Sequence, residues 1–356
     1  MAKGSLIKVL VVDDSALIRA VLTEILDSDS RLQVIDQAKD AFEARDLIKK
    51  HNPDVITLDI EMPKMNGISF LKNLMRLRPM PVVMISTLTQ EGAPSTLEAL
   101  ELGAVDFVPK PKTDGGGSLE HARETIIEKV VSAAKARVKP FQDNVSPSVL
   151  QEKAKINAGL VSKKLLRPNF ICAIGASTGG TEAIKEVITA LPVNCPPVVV
   201  VQHIPESFSR SYAKRVNAAS LVEVHEAENN QVLQPGHVYI APGDSHLSIR
   251  RGASGFVCQL EQSDFVNRHR PSVTVLFDSV LAHAKTNCMG VLLTGMGNDG
   301  SEALLHMKEA GCHTIAQDEE SSVVWGMPGA AVKMGGATKV LPLDRIAGDI
   351  LANAFK

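Results

Sequence analysis

Residues 8–60 read KVLVVDDSALIRAVLTEILDSDSRLQVIDQAKDAFEARDLIKKHNPDVITLDI, and this stretch decides the fold of the first part of the chain. Short runs rich in β-branched residues alternate with longer segments whose apolar residues recur at helical spacing. The alternation continues to about residue 138 and gives five strand–helix units. Such units form a parallel sheet covered by helices on both faces. The sequence therefore predicts an α/β domain, a flavodoxin-like (βα)5 fold, over residues 1–138.

The remaining sequence predicts a connector and a second domain. Residues 139–168 lose periodicity and gain Lys, Ser, Pro and Asn, which is typical of a solvated linker. From Asn169 the alternation resumes, and it predicts a doubly wound, mainly parallel α/β domain over residues 169–356. Closely spaced strands and turns in residues 233–262 predict antiparallel hairpins inserted between the parallel units.

The composition is that of an ordinary globular protein. A length of 356 residues suits two domains, and the chain is 44% hydrophobic and 22% charged. A net charge of −2 argues against nucleic acid or an anionic membrane as a partner. Five cysteines without a CxxC pair suit reduced thiols in the cytoplasm, and no leader or long apolar run predicts export or membrane insertion.

Acidic residues gather at the strand ends of the first domain. Asp13 and Asp14 follow the first strand and Asp59 ends the third, so the three carboxylates meet at one sheet edge. Gathered carboxylates raise one another's pKa unless a cation neutralises them, and Mg²⁺ prefers such oxygen ligands. Ser86 and Lys110 end the next two strands, where they would hold oxygens of a phosphoryl group on Asp59. The sequence predicts a magnesium and phosphate site.

The second domain contains a candidate nucleophile. Gly175, Ser177 and Gly179 satisfy the G-x-S-x-G pattern of a strained strand-to-helix turn. A nucleophilic serine needs a base and a group that orients the base. His203 ends the following strand and Asp299 follows a later one, so all three side chains are expected at the same sheet edge.

A different chain order of the triad is an alternative. In the order Ser, Asp, His, the acid would be Asp278 or Asp299 and the base His306 or His313. His306 falls in mid-helix and His313 begins a strand at the opposite edge, so the pattern favours His203.

A nucleotide-dependent enzyme and a DNA-binding regulator are the two alternative function classes. The segment 295–300, GMGNDG, follows a strand, opens a helix and precedes Asp318, which satisfies a dinucleotide-binding fingerprint. Only 56 residues follow Gly300, and Asp299 would repel a pyrophosphate, so a nucleotide-dependent enzyme ranks second. A DNA-binding regulator is disfavoured because no helix-turn-helix is evident.

The remaining histidines of the second domain give no metal signature. His225, His237, His246 and His283 show no metal-ligand spacing, so structural or surface roles are expected for them. We expect no metal or cofactor in this domain.

Both domains resemble known families. The DD after strand one, the D of LDIEMPKMNG, the S after strand four and the K of DFVPKP resemble a two-component receiver domain. The motifs IGASTGG, QHIP, HVYIAPGDSH, RPSVTVLFDSVL and LLTGMGNDG resemble the catalytic domain of chemotaxis protein-glutamate methylesterases, the CheB family.

The receiver resemblance implies a phosphorylation switch. It implies that a partner histidine kinase phosphorylates Asp59, with Mg²⁺ held by Asp14, Asp59 and a main-chain carbonyl and with Asp13 assisting. It further implies that the ring of Phe107 moves together with Ser86 on activation.

The CheB resemblance implies a hydrolase. It implies that Ser177 is the nucleophile, His203 its base, Asp299 the orienting carboxylate and the amide of Met296 an oxyanion donor. The implied substrates are glutamyl methyl esters and selected glutamines of chemoreceptors. Because the receiver precedes the enzyme, we expect the unphosphorylated receiver to restrict the catalytic domain.

Overall fold

The computed structural model describes residues 6–86, 92–110, 119–138, 140 and 147–356. The chain forms two compact units, Met1–Asp143 and Asn144–Lys356.

The first unit is built on a five-stranded sheet in the order β2-β1-β3-β4-β5, and every neighbouring pair is parallel. The strands are β1 (Ile7–Val12), β2 (Leu32–Ala38), β3 (Val55–Asp59), β4 (Val82–Ser86) and β5 (Asp106–Pro109). The helices are α1 (Ala16–Asp27), α2 (Ala41–His51), α3 (Gly67–Leu77), α4 (Ala93–Glu101) and α5 (Leu119–Ala133). This confirms the flavodoxin-like prediction.

Apolar strands and helix caps explain why these elements form. All five residues of β3 and all five of β4 are buried, as expected for the middle of a covered parallel sheet. Helix α1 begins after Ser15, whose side chain accepts a hydrogen bond from the backbone of Ile18. Asp40 caps α2 in the same way. These polar capping residues follow the carboxyl ends of β1 and β2, and so lie at one edge of the sheet.

The second unit is built on a seven-stranded sheet in the order β14-β13-β12-β6-β7-β9-β8. All neighbouring strands in it are parallel. The strands are β6 (Ile171–Ala176), β7 (Val198–Gln202), β8 (Glu223–Glu226), β9 (His237–Ile240), β12 (Cys288–Leu292), β13 (His313–Gln317) and β14 (Lys339–Leu341), with β10 (His246–Gly252) and β11 (Gly255–Glu261) forming a separate antiparallel pair. The helices are α6 (Pro147–Val161), α7 (Gly180–Thr189), α8 (Glu206–Ala219), α9 (Val273–Ala284), α10 (Ser301–Glu309), α11 (Met327–Lys333) and α12 (Leu343–Ala354).

The hairpin insertion is confirmed but is shorter than expected. β10 and β11 form the antiparallel hairpin, whereas β9 pairs in parallel with both β7 and β8. The turn signals around β9 were therefore misleading. Residues 227–236 return the chain to the start of β9 without a helix, so β9 enters the main sheet.

The described residues of the segment 139–168 are more ordered than a solvated linker. Helix α6 occupies much of it and contacts α7 and α12. Ala154 and Val161 are buried, and the Asn157 side-chain amide donates to the carbonyl of Ala190 at 2.8 Å. Ile156 remains exposed, so the apolar residues do not form one clean stripe that periodicity would reveal.

No helix in the described ranges is long and apolar enough to span a bilayer. All five cysteines are free and buried.

Candidate catalytic and phosphorylation sites

The predicted acidic pocket forms at the strand ends of the first unit. Asp13 and Asp59 are almost fully buried, and Asp14 is exposed beside them. Lys110 Nζ lies 3.0 Å from Asp13 Oδ2 and 2.8 Å from Asp59 Oδ2. Carboxylate oxygens of the three aspartates all lie within 4.8 Å of one another. This cluster of hard oxygen donors fits a divalent cation such as Mg²⁺.

Burial dominates the electrostatics of Asp59. It raises the pKa of Asp59 to about 6, and the charge of Asp13 adds to the rise, although Lys110 opposes it. The ionised carboxylate is thus held in a site that disfavours its charge. A cation at the cluster would relieve this cost.

The two predicted switch residues lie next to this pocket. Ser86 ends β4 and is buried, and its carbonyl accepts a hydrogen bond from the backbone of Lys110. Phe107 is buried on the neighbouring strand β5, with the ammonium of Lys129 5.1 Å from the centre of its ring. The movement of Phe107 and Ser86 on activation stays a prediction.

Ser177 lies in the turn between β6 and α7. Its backbone is held on both sides, since its N–H donates to Thr294 O at 3.0 Å and its carbonyl accepts from Gly180 N at 2.7 Å and Gln202 Nε2 at 2.9 Å. The left-handed residue of the turn is Gly179, with φ of 73°. The sharp bend of the predicted strand-to-helix turn therefore falls on the glycine two residues after Ser177, where a positive φ carries no steric cost.

His203 follows β7 and pairs with Asp299. The backbone N–H of His203 donates to Ala176 O, which places the histidine beside the residue that precedes Ser177. His203 Nε2 lies 2.9 Å from Asp299 Oδ2, and both side chains are largely buried. The ring of His269 stacks on His203 with 3.6 Å between centroids.

The carboxylate of Asp299 accepts hydrogen bonds on both oxygens. Besides His203, the donors are Val273 N at 2.7 Å, Asn267 Nδ2 at 2.8 Å, Ser272 Oγ at 2.8 Å, and Thr274 Oγ1 at 2.9 Å with its backbone N at 3.3 Å. Burial raises the pKa of Asp299, but the hydrogen bonds and the interaction with His203 outweigh it. They hold the pKa well below its ordinary value. Asp299 is therefore ionised at neutral pH.

An ionised Asp299 determines the tautomer of His203. The carboxylate only accepts hydrogen bonds, so Nε2 of His203 carries the proton. Nδ1 is then the basic nitrogen of the neutral ring. It is buried and has no hydrogen-bond partner in the described part of the chain. The described contacts of Ser177 likewise include no hydrogen bond between its Oγ and His203, and catalytic hydrogen bonds often tighten only when substrate binds.

The loop after β12 packs directly against Ser177. A Cβ at Gly295 would lie 2.8 Å from Ser177 Cβ and 2.4 Å from Met327 Sδ, so only glycine fits. The next residue, Met296, donates no backbone hydrogen bond to a described residue and is half-buried. Its free N–H is available to a ligand at this edge of the sheet.

The alternative histidines, the alternative acid Asp278 and the acid of the dinucleotide fingerprint do not meet Ser177 in this structure. His313 begins β13 and pairs with Asp349 at 2.6 Å, at the edge opposite to Ser177. Asp278 lies on α9 and faces the charge of His306 rather than that of His203. Asp318, the acid of the dinucleotide fingerprint, accepts two hydrogen bonds from Ser321.

Sequence reasoning missed the polar segment that surrounds Asp299. It contains Asn267, His269 and Ser272 in the loop that leads into α9, and Thr274 in the first turn of that helix. His246, for which a structural or surface role was expected, is buried, accepts a hydrogen bond from Ser272 N at 3.2 Å and supports this segment. The high density of polar residues just before α9 was the one sequence signal that could have indicated this part of the site.

Comparisons with known proteins bear on this arrangement. The model of the family described as CheB methylesterase matches residues 172–350, which include every residue of the site around Ser177. The chain belongs to the CheB methylesterase family. The model of the response regulator receiver domain matches residues 9–115, which include the acidic pocket.

Relatives in this family are similar over nearly the whole chain. A protein-glutamate methylesterase/protein-glutamine glutaminase of Saccharophagus degradans is 57% identical over 98% of this chain and 99% of its own length. One of Xanthomonas euvesicatoria is 50% identical over 97% of each chain. The crystal structure of the Thermotoga maritima CheB methylesterase catalytic domain is 39% identical, with a TM-score of 0.51 over 52% of this chain and 99% of that one.

Proposed function

We propose that this chain is a cytoplasmic, phosphorylation-controlled serine hydrolase that demethylates glutamyl methyl esters and deamidates selected glutamines of chemoreceptors. The observation that carries the proposal is the buried His203–Asp299 pair, which leaves a basic Nδ1 near the turn that holds Ser177. The names and full-length similarity of the relatives support the substrate class.

Each residue has a role in acyl transfer. Ser177 Oγ attacks the carbonyl carbon of the side-chain ester, and its proton passes to Nδ1 of His203. Asp299 stabilises the imidazolium that results. The amide of Met296 donates to the oxyanion of the tetrahedral intermediate.

Collapse of that intermediate expels the leaving group. His203 returns the proton, so an ester releases methanol and a glutamine releases ammonia. A water molecule, deprotonated by the same ring nitrogen, then attacks the acyl-enzyme. Glutamate is released and Ser177 regains its proton, so both substrates give the same product.

The first domain supplies the control. We assign the receiver to residues 1–138 and the catalytic domain to residues 169–356, joined by residues 139–168 of which α6 packs on the second unit. A histidine kinase of the same signalling system would phosphorylate Asp59. Asp13, Asp14 and Asp59 would hold the Mg²⁺ that this transfer needs, and Lys110 and Ser86 would bind the phosphoryl oxygens.

Methanol release from methylated chemoreceptor membranes tests the regulatory half of the proposal. A small-molecule phosphodonor with Mg²⁺ should raise the rate for the wild type and leave the rate of Asp59→Asn unchanged. Asp54→Asn is the matched control, since Asp54 precedes β3 at the opposite edge of the sheet and should respond like the wild type. An equal response of Asp59→Asn would contradict phosphorylation at this residue.

A further inference from the structure

Three metal-ligating side chains meet at the edge of the second sheet, away from the strand ends that hold Ser177. β8 is one of the two edge strands of this sheet as described, and its register with β9 places Glu223 beside His237. His225 lies two residues after Glu223 and so projects from the same face of the strand. The parallel pairing thus gathers a carboxylate and two imidazoles from positions that look unrelated in the sequence.

The donor atoms of these side chains converge. His225 Nε2 lies 3.0 Å from His237 Nδ1, and Glu223 Oε2 lies 3.7 Å from each of these nitrogens. The two rings are nearly parallel, with an interplanar angle of 9°. The point that lies in the plane of these three atoms and is equidistant from them is about 2.0 Å from each, which is the length of a Zn–N or Zn–O bond.

We propose that Glu223, His225 and His237 form a binding site for a borderline divalent transition metal such as Zn²⁺. Two imidazoles and one carboxylate are a donor set that favours Zn²⁺, Cu²⁺, Ni²⁺ or Co²⁺ over Mg²⁺ or Ca²⁺. When the metal binds, the proton between these two ring nitrogens moves to the other nitrogen of its own imidazole, so that both facing nitrogens are free to be ligands.

Exposure and position indicate what the metal would do. The side chain of Glu223 is 69% exposed and those of His225 and His237 are 33% and 23% exposed, so solvent can fill the remaining coordination positions. The ligands come from both β8 and β9 and would tie the edge strand to the rest of the sheet. We therefore expect the metal to stabilise the second unit, because it binds the folded arrangement alone.

Equilibrium dialysis of the full-length protein with Zn²⁺ tests this site. Excess Mg²⁺ is included to occupy the acidic pocket around Asp59. The wild type should bind one more Zn²⁺ per chain than His225→Ala/His237→Ala, and Zn²⁺ should raise its thermal midpoint but not that of the double variant. His283→Ala, which removes an exposed histidine of α9, is the matched control and should bind Zn²⁺ like the wild type.

A second variant keeps the test valid if the double variant does not fold. Glu223→Gln alters only an exposed side chain, and it should weaken Zn²⁺ binding at least tenfold because it removes the anionic ligand. Cobalt(II) bound to the wild type should show the visible absorption of a low-coordinate site, and Glu223→Gln should lose it. Equal stoichiometry and affinity for Zn²⁺ in the wild type and these variants would overturn the proposal.

Discussion

His203 Nε2 and Asp299 Oδ2 are 2.9 Å apart, and the same carboxylate accepts five further hydrogen bonds from the loop before α9 and from the first two residues of that helix. These donors fix the carboxylate before any substrate arrives. The carboxylate in turn fixes the orientation and the tautomer of the histidine. Such preorganisation is what a general base needs.

Replacing this carboxylate should disable the base. Asp299→Asn presents an amide to His203 Nε2 and removes the charge that stabilises the imidazolium, so kcat for ester hydrolysis should fall by about 10³- to 10⁴-fold. Steady-state methanol release measures it. Asp278→Asn, on the exposed side of α9, is the control and should retain wild-type activity. Equal losses in the two variants would show that Asp299 has no special role.

The contact between Gly295 and Ser177 should tolerate no side chain. In Gly295→Ala the new methyl group would lie 2.8 Å from Ser177 Cβ, so the nucleophile or the oxyanion loop must move. A displacement of this size should cost about 10²-fold in kcat. Gly348→Ala is the matched control, because it lies within α12 and its new methyl group would meet no atom within 4 Å beyond the neighbouring backbone of its own helix. It should keep full activity, and Gly295→Ala with wild-type kcat would be inconsistent with the packing.

Asp59 should make stability depend on pH. Its pKa in the folded protein is raised to about 6 from an ordinary value of 3.8, so the folded state binds the proton more tightly than the unfolded state. The free energy of unfolding should therefore fall as pH rises from about 4 to about 6. Without Mg²⁺, Asp59→Asn should be more stable than the wild type at pH 7 by on the order of 2 kcal/mol.

Urea denaturation in the presence of a chelator measures this difference. The difference should vanish below about pH 4, where Asp59 is protonated in both the folded and the unfolded wild type. Mg²⁺ should stabilise the wild type at pH 7 and should not stabilise Asp59→Asn. If Asp59→Asn were less stable than the wild type at pH 7, the pKa of Asp59 would not be raised in the folded protein.

Helix α6 should stabilise the second unit. A fragment that begins at residue 169 lacks the buried Val161 and the hydrogen bond from Asn157 to Ala190 O. Its free energy of unfolding should be lower by about 2 kcal/mol or more than that of a fragment that begins at residue 144. Urea unfolding of the two fragments checks this. Asn157→Ala in the longer fragment should cost about 1 kcal/mol, and equal midpoints of the two fragments would mean that α6 adds nothing.

The strand ends were predictable from the sequence because periodicity determines where a parallel strand stops. That rule alone placed Asp13, Asp59 and Lys110 at one edge, and it placed His203 and Asp299 at another. The parallel sheets themselves were predictable for the same reason. The positions of these residues at the strand ends therefore followed from local patterns, whereas Phe107 and Met296 were expected only from the family resemblances.

Contacts that depend on the path of a loop were not predictable. Asn267 and Ser272 reach Asp299 through an irregular segment whose course no periodicity determines. Pairing between β8 and β9 decides whether His225 meets His237, and the turn signals around β9 indicated a hairpin instead. Helix α6 escaped detection because it buries residues such as Ala154 while leaving Ile156 exposed.

The central claim is that Ser177 is the nucleophile of an esterase that acts on chemoreceptors. Methanol release from methylated chemoreceptor membranes, compared between wild type and Ser177→Ala at equal folded concentration, tests it most directly. Removal of the attacking oxygen should reduce the rate to at most 10⁻³ of the wild-type value, with unchanged thermal stability. Methanol release by Ser177→Ala at the wild-type rate would contradict the account.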